Sequence, residues 1–100
     1  MPWVKNVEGL VDFLSLVVVY APDEFPKEDF LDDDEQLTLD LAFAEINAGM
    51  EFVKKRIANK AIVQELESQI AASLAAYRRG DDISGAHLLQ RFERTLLASM

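Results

Sequence analysis

The sequence predicts an all-α fold, an irregular four-helix bundle that ends in an antiparallel helix hairpin. Two observations predict it. Apolar residues recur at spacings of three and four in four separate stretches, the mark of a helix with one buried face. Proline, glycine and capping residues stand at the breaks between them, at Pro22, Pro26 and the run Gly80, Asp81, Asp82. The chain has 100 residues, of which 50% are apolar and 28% charged. That is ordinary globular usage and suits one domain, 1–100, with one core.

Val4, Val7, Val11, Leu14 and Val18 place the first helix near residues 5–20. The β-branched run from Leu16 to Tyr20 favours extended structure, but the longer periodic window outranks it. Pro22 and Pro26 stop the helix and open an acidic segment, 22–35, with room for a short fifth helical turn around Lys27 to Leu31. Asp23 or Asp32 is the expected cap of the next helix, since clustered carboxylates suit the positive end of a helix dipole.

The second helix is expected over 33–57. Leu39, Phe43, Ile46, Met50, Val53 and Ile57 form one stripe, and Leu37, Leu41, Ala44 and Ala48 form a second beside it. So wide an apolar arc predicts a central position in the packing. Asn47 and Gly49 leave a break open, because Gly inside a helix costs about 1 kcal/mol relative to Ala; the stripe stays in phase across them and favours continuity. Lys54, Lys55 and Arg56 suit the negative end of this helix.

The third helix, 61–79, is read from Ile62, Leu66, Ile70 and Leu74, with Val63 and Tyr77 alongside. Ala71, Ala72, Ala75 and Ala76 raise its propensity and would let a neighbour approach closely. Arg78 and Arg79 suit its end, Gly80 a left-handed C-terminal cap, and Asp81 or Asp82 the start of a fourth helix over 83–98. That helix buries Leu88 or Leu89, Phe92 and Leu96, and leaves Arg91 and Arg94 to water.

Charge is polarised along the chain. Residues 1–50 carry twelve acids and two bases, and residues 51–100 carry six acids and eight bases. Between Asp23 and Glu35 eight carboxylates face one Lys, interrupted by Phe25, Pro26, Phe30 and Leu31. The net charge of minus eight repels phosphate backbones and anionic lipid, which argues against nucleic acid and membrane surfaces as partners. The longest apolar stretch, Phe13 to Ala21, is far shorter than the roughly 20 residues that span a bilayer. With no Cys there is no thiolate site, and a reducing, cytoplasmic setting is expected.

No residue set predicts catalysis. His87 is the single His; Ser84, one turn before it, reads as a helix-start residue. Glu65 and Glu67 lie on different helix faces, and consecutive carboxylates such as Asp32 to Glu35 diverge rather than converge on a metal ion. Neither enzyme chemistry, metal nor cofactor is therefore expected. Arg79, Gly80 and Asp81 spell an adhesion tripeptide that the hairpin already explains. Trp3 suits the open end of the bundle, being mostly buried in proteins.

The function expected is a small acidic protein-binding domain, of the inhibitor, immunity or adaptor kind, that docks on a basic surface of a partner protein. Asp33, Asp34 and Glu35 would steer association, and Phe25, Phe30 and Leu31 would be buried anchors. The alternatives are a structural or regulatory homo-oligomer, in which the acidic half of one subunit meets basic helix ends of another, and an uncharacterised enzyme.

Overall fold

The computed structural model describes residues 4–25, 27, 32 and 36–100. They form four helices, α1 (Val7–Tyr20), α2 (Leu39–Arg56), α3 (Lys60–Arg78) and α4 (Asp82–Ser99), and among the described residues there is no strand. The helices close a ring in which α1 packs on α2, α2 on α3, α3 on α4, and α4 on α1. One hydrophobic cluster joins all four, with Leu10, Phe43, Ile46, Leu66, Leu89 and Phe92 at its centre.

Asn6 starts α1: its side chain accepts a hydrogen bond from the Gly9 N–H at 2.6 Å, satisfying one of the free donors of the first turn. The β-branched run to Tyr20 is helical. Ala21 then turns to extended geometry (φ −68°, ψ 148°), as the residue before a proline does. The buried face is Val7, Leu10, Phe13, Leu14 and Val17, whereas the sequence points to Val11 and Val18, which are half-buried. Both sets obey the three-four spacing, because α1 is apolar around most of its circumference. Only its neighbours select the arc.

The second helix begins later than expected. Gln36, Leu37 and Thr38 are not helical, and Thr38 is the cap, its hydroxyl accepting the Leu41 N–H at 3.2 Å. Thr38 stands directly before Leu39, the first residue of the apolar stripe. Asp23 lies in a turn and Asp32 outside any helix, so neither caps α2; Lys27 is also outside regular structure, and residues 28–31 of the expected short turn lie outside the described residues, as does Trp3.

Helix α2 runs unbroken through Asn47 and Gly49. Gly49 is buried, and a Cβ there would stand 3.1 Å from both Leu10 Cδ1 and Val4 Cγ1. The missing side chain lets the N-terminal end of α1 seat on α2. Of the two expected stripes, the one through Phe43, Ile46, Met50 and Val53 is buried, but Leu41, Ala44 and Ala48 are exposed. With α1 and α3 both drawn to one side of α2, no helix among the described residues covers these three. No helix of the described residues is long and apolar enough to cross a membrane.

Helices α3 and α4 form the expected hairpin. Gly80 takes φ +85°, the Gly80 N–H donates to the Tyr77 carbonyl at 3.1 Å and the Asp81 N–H to the Ala76 carbonyl at 2.9 Å. These two bonds are a Schellman motif, which closes free carbonyls of α3. Asp81 Oδ1 then accepts the Ser84 N–H at 3.2 Å and caps α4. Of the alanines expected to allow close approach, Ala71, Ala72 and Ala75 are exposed and only Ala76 is buried. The close approach is made elsewhere. Ser73 Oγ donates to the Gly85 carbonyl at 2.7 Å, and a Cβ at Gly85 would fall 2.7 Å from two ring carbons of Tyr77.

Two variants at this hairpin separate strain from overlap. Nothing lies within 4 Å of a Cβ at Gly80, so Gly80→Ala costs only left-handed backbone strain, about 1 kcal/mol. Gly85→Ala must displace the Tyr77 ring and costs more, up to about 3 kcal/mol. Denaturant unfolding of the two proteins checks the order.

Tyr77 gives a second test. Its ring meets Phe43 edge-on at 6.0 Å, while its buried hydroxyl has no hydrogen-bond partner among the described residues. Tyr77→Phe removes that desolvated group, keeps the ring contact, and raises stability by about 1 kcal/mol. Burial, with the Asp82 charge adding to it, lifts the phenol above its usual value of 10.0. The folded-state pKa being raised, its stability contribution is complete below pH 10.0 and is lost as pH rises through the folded pKa. Tyr77→Phe abolishes this alkaline loss, read as the difference between the two unfolding curves.

Candidate functional site

The acidic segment begins at the end of α1, where the Glu24 N–H donates to the Tyr20 carbonyl at 2.8 Å and makes one last turn. Phe25 and Leu37 are half-buried against the core and tie down the two ends of the stretch. Asp23, Glu24, Lys27 and Asp32 are exposed. Of the six residues expected to bind a partner, Phe25 therefore has part of its ring seated in the protein's own core. Phe30, Leu31, Asp33, Asp34 and Glu35 lie outside the described residues.

Three basic residues of the second half are tied to acids of neighbouring helices. Arg78 Nη2 is 2.8 Å from Asp40 Oδ1, Arg56 Nη1 is 3.2 Å from Glu8 Oε1, and Lys54 Nζ is 3.7 Å from Glu67 Oε2. Each pairs a cation in the last turn of one helix with an acid of another, so one guanidinium or ammonium meets both a carboxylate and a negative helix end. Two of them, Asp40 with Arg78 and Lys54 with Glu67, run α2 antiparallel to α3. Lys55 lies over the Phe52 ring at 5.9 Å.

The α2–α3 connection forms a cleft that sequence reasoning missed, although the basic set around it, Lys54, Lys55, Arg56 and Lys60, reads from the sequence as neutralising a helix end or attracting an acidic segment of the same or another molecule. An open cleft of ≈ 380 Å³ lies in this elbow, lined by Ile57, Ala58 and Val63 with Lys54, Lys60 and Glu67 around them. Its signal in the sequence is a pair of lysines bracketing apolar residues across a capped break, with Asn59 accepting the Ala61 and Ile62 N–H groups.

His87 and Arg91 are exposed on α4, and Ser84 serves the α4 start, its N–H bound by Asp81. Glu65 and Glu67 are both exposed, and among the described residues no three acids or histidines gather as ligands for a metal ion. No protein-family model, no curated protein and no solved structure matches this chain.

Two carboxyls at the helix starts are held below their usual range. Asp81 is lowered by hydrogen bonds from Ser84, with the Arg79 charge assisting; Glu8 is lowered by its own backbone N–H and by Arg56. Depressed folded-state values mean that their stabilisation is present above the ordinary carboxyl range, near about pH 4, and is lost as pH falls through the folded values. Asn caps a helix as well as Asp. Asp81→Asn therefore leaves neutral stability nearly unchanged and flattens the acid limb of a stability-against-pH curve.

Proposed function

We propose that this chain is a small acidic protein-binding domain, without catalytic chemistry of its own, that docks on a basic surface of a partner as inhibitors, immunity-type proteins and adaptors do. The observation that carries the reading is the exposure of Asp23, Glu24 and Asp32 around a Phe25 seated on the core. They belong to a stretch of eight carboxylates against one Lys. A concentrated field of one sign speeds encounter with the opposite sign. The segment's apolar residues then give contact that outlasts the encounter. A chain without Cys suits a reducing compartment, the cytoplasm.

The reading is tested on a partner retained from native lysate and eluted by salt, followed by association kinetics. Replacing Asp33, Asp34 and Glu35 by their amides slows association and flattens its salt dependence. Phe30→Ala instead speeds dissociation, by about 1 to 3 kcal/mol, the scale of a buried aromatic anchor. Thermal midpoints of the free variants serve as the control. Wild-type kinetics in both variants would remove the acidic segment from the binding surface.

A further inference from the structure

We propose that the α2–α3 elbow docks the acidic stretch of a second copy of this chain. The cleft there offers apolar surface from Ile57, Ala58 and Val63, with Lys54 and Lys60 beside it. Lys55 and Arg56 adjoin it, so four cations fall within seven residues of an otherwise acidic protein. The N-terminus of α3 adds the positive end of its dipole. The first turn of α3 carries no acid, whereas those of α1, α2 and α4 carry Glu8, Asp40 and Asp82. Glu67 pairs with Lys54 and Glu8 with Arg56, but among the described residues no carboxylate pairs with Lys60. The elbow is thus a place where a further carboxylate is attracted despite the overall charge.

The chain itself carries the complementary chemistry. Asp23 to Glu35 intersperses carboxylates with Phe30 and Leu31, so a large apolar side chain can enter the cleft while its neighbours meet Lys60. A cleft of ≈ 380 Å³ is at the lower end of ligand pockets, enough for a side chain or two rather than a folded surface. The contact joins two different surfaces, the stretch of one copy and the elbow of another. Reciprocal docking closes a two-fold dimer, and one-way docking continues into larger assemblies. Such association would also withdraw the acidic stretch from a foreign basic partner, although the inference stands on the cleft and does not need that partner to exist.

Both copies carry a net charge of minus eight, so salt relieves their general repulsion while weakening the local pairs. Charge reversal at Lys60 is the cleaner test. Lys60 is exposed and is the first residue of α3, where an acid suits the dipole, so Lys60→Glu keeps the fold. The full chain is followed from micromolar to millimolar concentration by sedimentation and by amide shifts in nuclear magnetic resonance. The expected result is a rising mass, with concentration-dependent shifts clustered over 57–64, and for Lys60→Glu an association weaker by about tenfold. An acetylated peptide of residues 22–36 should reproduce the shifts in the native protein, and a scrambled peptide of equal composition should not. A monomer at millimolar concentration, shifts centred on Leu41 to Ala48 instead, or equal binding of the scrambled peptide would each overturn the proposal.

Discussion

The contact between the Tyr77 ring and Gly85 sets the arrangement of the C-terminal half. With the ring carbons 2.7 Å from where a Cβ would be, no residue other than Gly lets α4 lie so close to α3. That closeness brings Ser73 Oγ to the Gly85 carbonyl and buries Gln69, whose Nε2 reaches Thr95 Oγ1 at 3.5 Å. Packed from α3 against Gly85 of α4, the Tyr77 ring also meets Phe43 edge-on, and the hairpin is thereby registered against α2. Gly49 plays the matching part on the other side, admitting Leu10 and Val4. Two glycines inside helices, each unfavourable to its own helix, leave room for side chains of neighbouring segments.

This packing decides which charges remain to act on a partner. The antiparallel run of α2 and α3 carries Arg78 to Asp40 and Lys54 to Glu67, and the seat of α1 on α2 carries Glu8 to Arg56. All these groups are substantially exposed, so the pairs contribute little to stability. Their effect lies in the field. Lys54 and Arg56 of α2 and Arg78 of α3 are offset by acids from elsewhere in the chain, and the carboxylates ahead of α2 have a single Lys within their own stretch. The result is an acidic N-terminal half and a cluster of cations at the α2–α3 elbow.

Signals that act within a few residues are legible in the chain. Arg79, Gly80 and Asp81 predict the hairpin because a left-handed glycine and a following Asp close a helix end and open the next through hydrogen bonds among near neighbours. The four apolar periods likewise predict four helices, and the phase of the α2 stripe predicts continuity through Gly49. The charge polarity and the acidic stretch are equally plain, since they need only counting. The start of α2 lies later than its carboxylates suggest, because eight acids suit a helix N-terminus in general, whereas the cap must abut the apolar stripe, as Thr38 does.

What only the tertiary structure decided concerns choices that local chemistry leaves degenerate. The spacing in α1 allows Val11 and Val18 or Leu10 and Val17 to face inward, and contact with α2 and α4 selects the second set. Leu41, Ala44 and Ala48 are as apolar as a buried stripe, yet they are exposed and no helix among the described residues lies over them. Gln69 and Ser73 are polar and still buried, because Gly85 draws α4 onto them. The elbow cleft is divided in the same way: the sequence contains its lysines and its apolar residues, but a cleft exists only once α2 and α3 fold back on each other. By itself the sequence determined which segments are helical and where most of them end, through hydrogen bonds between residues close in the chain. Which faces meet was settled by side-chain volume and contact between residues far apart in it, which no local pattern encodes.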